Sequence, residues 1–461
     1  MANTSSATFA QVIKEGGFRS LWINQVLLQI AYNALNFSLL IWVFSLTNSN
    51  LAVAMLMLSI LLPAILFGIF SGVLVDISDR RKVILLVDAG LVVVFLLFLI
   101  SKDTYAILLT LSFILNSIYQ FFIPAEGSSI PLLVKKEHLL LANSLFQTTL
   151  FGALLIGYSL AGPVINFFSI NTVFIIGAAL SFLGFLVSQK LPPIVSSNGA
   201  EEKKLAQALI PLSFKRSWQL TKKQILQTVN FIRGKLAIAV AIGVLAGVQG
   251  VVGTLAVLVP AYMERVMHIP ATDASYIMML PLGLGMVIGA FLVGKFGQGL
   301  PKRALVTRGI IYAGLVLVLI GMAPIIGREY QTLDLGEKIL RKRPFFHAPS
   351  LSTFLAFFAF LLGVFTVIVI IPAQTVLQES TPARLRGKIF AVLAVFMAGF
   401  ASLPVIIAGG LADFFGVIPV MVGLGLVIIL IGLLGYKPAS FLAEGHLPYK
   451  LREFLGLGHW E

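Results

Sequence analysis

Phe122-Ile123-Pro124-Ala125 opens a stretch that runs to Ala161-Gly162, and Ile370-Ile371-Pro372-Ala373 opens another that runs to Gly409-Gly410. The two prolines are 248 residues apart, and so are the two closing glycines. Equal displacement at both ends is the mark of an internal duplication. Each copy sits in a series of long apolar runs, and duplicated sets of membrane spans that move against each other build secondary transporters.

Composition agrees with a bilayer as the solvent. The chain is 58% hydrophobic and 11% charged, with mean hydropathy +0.99, against roughly 45–50% and 25% in soluble domains. A span needs about 20 mostly apolar residues. Twelve runs qualify: 20–46, 51–76, 83–101, 104–125, 139–169, 171–190, 236–263, 272–296, 304–326, 351–377, 387–413 and 416–436. The expected fold is therefore an all-α integral membrane protein with twelve helices in two pseudo-symmetric six-helix bundles. The first run follows a polar segment and precedes many others, so it is not a cleavable signal peptide.

An even number of spans puts both termini on one side. Of 33 Lys and Arg, 26 lie in the tails and even-numbered connections and 7 in the odd-numbered ones. The positive-inside rule then makes both termini cytoplasmic, in the cell's inner (plasma) membrane. Five of the seven exceptions, Arg328, Lys338, Arg341, Lys342 and Arg343, share one long connection. The net charge of +14 is thus explained by topology and calls for no nucleic-acid partner. Cysteine is absent, which excludes disulfides and thiolate metal sites.

The chain divides into a first bundle over 1–190, a basic cytoplasmic linker over 191–235, a second bundle over 236–436 and a cytoplasmic tail over 437–461. Within the linker, 214–220 and 225–232 carry apolar residues at helical spacing beside Lys and Arg. Such segments lie along an anionic leaflet or form a solvated connection. The connection Gly327 to Ser350 is too polar to span, and a partly ordered outer loop is expected. In the tail, Leu447, Leu451, Phe454 and Leu455 fit a short interfacial helix.

Gly72-Val73-Leu74-Val75-Asp76-Ile77-Ser78-Asp79-Arg80-Arg81-Lys82 joins the second and third spans. This loop resembles the signature of the major facilitator superfamily. The resemblance implies that Gly72 permits close helix approach and that Asp76, Arg80, Arg81 and Lys82 form a charge network at the inner gate. Ile77 stands where the family usually has Arg, and Asp79 where many members have Gly. Pro124-Ala125, Pro131, Leu133-Val134, Leu139 and Ala142-Asn143 resemble the enterobactin exporter and macrolide efflux branch. So do Pro372-Ala373-Gln374, Gln378-Glu379, Thr381-Pro382, Arg386-Gly387-Lys388 and Gly410-Leu411-Ala412-Asp413. Gly152, Gly157 and Gly162-Pro163 are similar to the antiporter motif of drug exporters, although Ile165-Asn166 replaces its following glycine pair. Gly162 and Pro163 would accommodate a bend, because proline removes a backbone hydrogen bond. Asp413, at a span end, joins the gating candidates.

Gln25, Gln29, Tyr32, Asn33 and Asn36 form one polar stripe along the first span. Hydrocarbon penalises unpaired amides, so the stripe should face the protein interior or a wet cavity. Asn116, Tyr119, Gln120, Asn143 and Gln147 add polar groups from the same half, and Gln249 is the counterpart in span seven. These eleven residues are the candidate substrate site, with interhelical hydrogen bonding as the competing role for each. Four glycines of span seven, Gly243, Gly247, Gly250 and Gly253, share a face expected to pack tightly, as do Gly68/Gly72 and Gly285/Gly289. Asp88 lies inside a span and is the candidate proton site. Related exporters often carry an acid where this chain has Tyr32-Asn33.

Other chemistries fail. Gly289 to Lys295 has the spacing of a phosphate-binding loop, but Phe296 replaces the hydroxyl residue that would reach Mg²⁺. The five histidines lack metal-ligand spacing. No cofactor, metal or catalytic residue is expected. The resemblance implies a monomeric, proton-coupled exporter whose partners are the bilayer, protons and an amphipathic small-molecule substrate. A lipid or lysolipid transporter is the alternative in the same class, and a non-transporting membrane receptor or scaffold is the alternative in another.

Overall fold

The computed structural model describes residues 9–101, 103–135, 138–194, 235–296, 301–332, 351–380 and 386–436. Those residues form helices and no strand. Twelve helices are long and apolar enough to cross a membrane. They are α1 (Gly16–Thr47), α2 (Asn50–Ile77), α3 (Arg80–Ser101), α4 (Tyr105–Leu133), α5 (Leu139–Phe167), α6 (Ile170–Ser188), α7 (Leu236–Ala261), α8 (Leu280–Phe296), α9 (Lys302–Thr332), α10 (Leu351–Ser380), α11 (Arg386–Phe415) and α12 (Val417–Tyr436). A short helix, Phe9–Lys14, precedes α1. The helix α9 runs six residues into the expected outer loop, as far as Thr332. The amphipathic linker segments, the rest of that loop and the tail fall outside the described residues.

By their internal contacts the residues sort into two units. The first contains 9–47 and 55–194, the second 48–54 and 235–436. The first turn of α2 therefore belongs to the second unit. In the first unit α1 packs on α5 and α6, and α3 on α4 and α6. In the second, α7 packs on α11, and α9 on α10 and α12. Among the described residues three pairings have counterparts, α1–α5 with α7–α11, α3–α4 with α9–α10 and α3–α6 with α9–α12. By contrast α1 packs closely on α6 but α7 only slightly on α12, and the close α8–α10 pairing has no equal in the first unit. α5 ends at Phe167 and α11 at Phe415, again 248 residues apart.

Each helix satisfies its own backbone, which is what hydrocarbon demands. Leu86, Val93, Leu97 and Ile100 on α3 are exposed, while Ile84, Val87, Leu91, Val94, Phe95 and Phe98 are buried. The exposed row is the lipid-facing side. Proline lies inside α2, α4, α5, α9, α10 and α11, where neighbouring helices offset the lost hydrogen bond. Near the end of α7, Pro260 precedes a π turn, Tyr262–Val266, and a second π turn, Ser275–Met279, leads into α8. The Tyr262 hydroxyl is buried and donates to the Ile320 carbonyl at 2.6 Å.

The glycine seams differ from expectation in part. On α8 and α10, a Cβ at Gly285 would run into the Phe360 carbonyl, and one at Gly289 would lie 2.9 Å from Val364. That crossing is as tight as the spacing predicts. On α7, Gly250 meets Pro404 of α11 at 3.5 Å, but Gly243 and Gly247 face open space. α11 packs along α7 elsewhere, with Phe396 and Met397 against the cluster of Ile238, Ala241, Ile242 and Leu245, so these two glycines lie off the contact. Gly72 likewise has nothing within 4 Å, so no close approach depends on it here.

Candidate functional site

The polar stripe of α1 is buried within the first unit. Gln25, Gln29, Asn33 and Asn36 are all less than 9% exposed, and Tyr32 is partly covered. Gln25 donates to the Phe146 carbonyl of α5 at 3.2 Å and accepts from the Thr149 hydroxyl at 3.1 Å. Trp22 donates to the same hydroxyl at 3.2 Å. The Asn33 amide donates to the Gln29 carbonyl at 2.8 Å and to its side chain at 3.3 Å. Opposite Asn33, Gly157 of α5 comes so close that a Cβ there would lie 2.8 Å from the Asn33 Cβ.

Farther round α1, Tyr32 donates to Asn116 Oδ1 of α4 at 2.6 Å. Its ring stacks on Tyr119, with centroids 4.0 Å apart and planes at 15°, and Tyr119 stacks in turn on Phe122 at 5.6 Å. Stacked rings and amides form one buried cluster with both apolar and hydrogen-bonding character. The structure thus gathers Gln25, Gln29, Tyr32, Asn33, Asn36, Asn116 and Tyr119. Gln120 is partly covered on α4, and Gln249 lies on α7 in the second unit. The side chains of Asn143 and Gln147 fall outside the described residues. Trp22 and Thr149 belong to the network but were not anticipated. The spacing that could have found them is simple: Trp22 lies three residues before Gln25 on the same helical face.

The second unit is different in kind. A void of about 20 Å³ is lined by Leu255, Val259, Met278, Leu317, Leu362 and Met421, among other apolar side chains. A space of that size holds about one water, and it offers no polar partners to keep one.

At the α2–α3 loop, the Arg80 guanidinium is buried and its Nε donates to Ser128 Oγ of α4 at 2.7 Å. Arg81 donates to the Gln189 carbonyl at the end of α6 at 2.7 Å, and Lys82 is exposed. The Asp79 carboxylate, which occupies the position where many family members have glycine, accepts from the backbone N–H of Arg81 and of Ile194, both at 3.1 Å. The Arg80 N–H donates to the Ile194 carbonyl at 3.1 Å. The loop therefore clips the start of α3 to α4, α6 and the first residues of the linker. The side chain of Asp76 is outside the described residues. Gly162 is buried and Pro163 partly covered, one turn before the end of α5.

Asp413 lies at the other end of α2, about 39 Å along the helix from Asp76 at 1.5 Å per residue. Its carboxylate accepts from Ser49 Oγ at 2.7 Å, Asn50 N at 2.9 Å, Asn50 Nδ2 at 2.8 Å and Leu51 N at 2.9 Å. Arg265 approaches the same carboxylate at 3.7 Å and also donates to the Asn48 carbonyl. A carboxylate placed on the unpaired N–H groups of a first turn caps the helix and complements its dipole. Gly409, one turn back on α11, lets the two helices touch: a Cβ there would lie 2.7 Å from Ala54 and 2.9 Å from the Asn50 carbonyl. Gly416, at φ +86°, ends α11 by donating to the Ala412 carbonyl at 3.1 Å. That left-handed conformation is cheap only for glycine.

Asp88 is fully buried on α3. Its Oδ2 accepts from Asn24 Nδ2 of α1 at 2.8 Å and from Ser188 Oγ of α6 at 2.8 Å, and Asn24 Nδ2 also reaches Ser188 Oγ at 2.6 Å. Asn24 lies beside the α1 stripe rather than on it, which is why the stripe pattern passes it over.

Two units of six apolar helices each, with three pairings in common, are the arrangement of a membrane carrier. The profile described as Major Facilitator Superfamily matches residues 21–335; the chain belongs to that family and is a multi-pass membrane protein. The uncharacterized MFS-type transporter YfiS of Bacillus subtilis (strain 168) is 24% identical over 396 residues, covering 85% of each chain. Macrolide efflux protein A of Streptococcus pyogenes is 24% identical over 314 residues, covering 67% of this chain and 73% of the relative. Among solved structures, a variant of the nucleoside transporter NupG shares the fold with TM-score 0.69 at 13% identity, over 91% of this chain and 100% of the other. A POT family transporter in complex with 5-aminolevulinic acid gives 0.66 at 13%, over 93% and 97%.

Proposed function

We propose that this protein exports an amphipathic small molecule, of the drug, macrolide or siderophore type, by alternating access powered by the proton gradient, with both termini in the cytoplasm. The observation that carries this is the buried α1–α4 cluster: Tyr32 is bonded to Asn116 and stacked on Tyr119, beside buried Gln25, Gln29, Asn33 and Asn36. A row of amides and aromatic rings without a formal charge complements a solute with a broad apolar body and scattered polar groups. It does not complement a small inorganic ion. The similarity to macrolide efflux proteins, at 24–25% identity, supports that direction and solute class. Asp88, fully buried within a span, is a carboxyl available to carry the coupled proton. In this scheme Gly72, Asp76, Arg80, Arg81 and Lys82 act at the inner end of the first unit, Asp413 at the opposite end of α2, and Gly162-Pro163 lets α5 bend.

The test is accumulation of labelled macrolides and siderophores in cells making the protein, with and without collapse of the proton gradient. Lower accumulation that returns to control levels on collapse is the expected result. A profile unchanged by the protein refutes export of those solutes. In proteoliposomes, saturable binding without counterflow would point to a receptor, and lipid scrambling to a lipid carrier.

A further inference from the structure

Asn24, Asp88 and Ser188 are each fully buried, and they meet where α1, α3 and α6 converge. Both donors that reach the Asp88 carboxyl, Asn24 Nδ2 and Ser188 Oγ, go to one side of it, Oδ2. The other oxygen, Oδ1, has no hydrogen-bond partner, and neither does Oδ1 of Asn24. Both are acceptors, so neither can satisfy the other. Gly184, one turn before Ser188, makes the room: a Cβ there would lie 3.1 Å from Asn24 Nδ2.

We propose that this cluster is a proton-binding site whose loaded form is a closed pair between the Asp88 carboxylic acid and the Asn24 amide. A proton on Asp88 Oδ1 turns that oxygen from an acceptor into a donor. It then donates to Asn24 Oδ1, while Asn24 Nδ2 continues to donate to Asp88 Oδ2. One proton thus satisfies both orphan oxygens. The unloaded form leaves two buried acceptors unpaired and a carboxylate far from a counter-charge, both of which are costly in a low-dielectric interior. The site rests on the proton-coupled reading above and gives it a location.

The groups around Asp88 are few. α4 brings Glu126, which is buried, has Oε1 unpartnered and lies within electrostatic reach of Asp88. Between Ile170 and Ser188, α6 brings no charged residue, and α1 brings only Arg19, exposed and five residues from Asn24. On α3 itself the nearest charges are Arg80, Arg81 and Lys82. They are six to eight residues away, about 9–12 Å along the helix. Glu126 lies near the pair without a hydrogen bond to it.

Asp88→Asn mimics the loaded form, because an amide at position 88 offers the donor that the proton supplies. The experiment uses the purified full chain and has two arms. In the first, infrared difference spectra are recorded across a pH titration. A carboxylic-acid C=O band should titrate in the parent and Glu126→Gln, shift in Ser188→Ala, and vanish when Asp88→Asn is added to Glu126→Gln. Because Glu126 is also a buried carboxyl, the deciding variant is Asp88→Asn in the Glu126→Gln background, and a band that survives there overturns the proposal. So does a band suppressed when NaCl replaces choline chloride at constant pH, since the site would then take an alkali cation. Should Asp88→Asn fail to insert, Ser188→Ala decides: an unmoved band overturns the proposal. In the second arm, proteoliposomes loaded with a radiolabelled macrolide compare exchange with transport driven by a pH gradient. Asp88→Asn should retain counterflow and lose the gradient-driven component. Retention of both overturns the proposal. If the parent shows no counterflow the exporter reading fails, while the infrared arm still judges the proton site.

Discussion

Asp413→Ala should loosen the first turn of α2 by an amount that can be worked from its contacts. The substitution leaves two backbone N–H groups, the Ser49 hydroxyl and the Asn50 amide without their shared acceptor. Loss of a helix cap costs about 0.5–2 kcal/mol, and a hydrogen bond to a charged group contributes about 1.5–3 kcal/mol. The Asp413 side chain is 26% exposed, so water replaces part of what is removed. We therefore take the net effect as about 2 kcal/mol, or about thirtyfold in the equilibrium for local opening. The chain contains no cysteine, so a single reporter can be placed without further changes. Val53 is fully buried in this turn, and Val53→Cys reacts with a maleimide only when the turn opens. With labelling slower than reclosing, the rate follows the opening equilibrium. Asp413→Ala should raise it about thirtyfold. Asp413→Asn keeps one acceptor and loses the charge, and should raise it about fivefold, a cost of about 1 kcal/mol. A labelling rate in Asp413→Ala equal to the parent's would refute the capping role and leave Gly409 packing as what holds the turn.

Gln29→Ala combined with Asn33→Ala should impair counterflow of the exported solute at unchanged membrane yield; undiminished flux would remove the α1 stripe from the substrate site. Gly285→Val should lower thermal stability in detergent by about 3 kcal/mol or more, because its Cβ enters the Phe360 carbonyl and overpacking is costly. Gly243→Ala, into open space, should instead raise it by up to about 1 kcal/mol through helix propensity. Equal effects from these two would contradict the packing described for α8 and α10. Asp79→Ala should speed hydrogen exchange at the Ile194 amide about tenfold, the loss of one charge-assisted bond of about 1.5 kcal/mol; unchanged exchange would show that the Asp79 carboxylate does not hold that strand of chain.

What was legible in the sequence was whatever repeats locally. Apolar run lengths gave all twelve spans, and the 248-residue offset anticipated that α5 and α11 end in register. The amide stripe on α1 was visible because its residues recur at three and four, the helical period. Asn24 was not, because it stands alone on another face and acquires meaning only from Asp88 and Ser188, 64 and 164 residues away. The partners of Asp413 are over 360 residues away in sequence. No spacing rule reaches that far. The glycine rule was a half-guide for a related reason: spacing says which glycines share a face, but not whether another helix crosses it. Gly285 and Gly289 meet α10, whereas Gly243 and Gly247 meet nothing.

The duplication itself sharpens the functional argument. Two copies of one ancestral unit begin chemically alike, and three helix pairings of the two units remain matched. Their interiors do not. The first holds amides, stacked tyrosines and two buried carboxyls, Asp88 and Glu126. Around its void the second holds Leu, Val and Met. Buried polar groups cost stability in a bilayer unless paired, so drift toward stability alone would have removed them from both copies. Their persistence in one copy, with acceptor oxygens still unpartnered on Asn24, Asp88 and Glu126, is explained if that copy must bind something the other need not. Replacing Asp88 and Glu126 together by Leu tests this directly. Loss of Asp88 takes the acceptor from the buried Asn24 and Ser188 donors, which costs stability whatever the acids are for, so the deciding readout is transport. If the acids serve only packing, the inserted double variant should still respond to the proton gradient; if they are kept for proton binding, it should transport without that response.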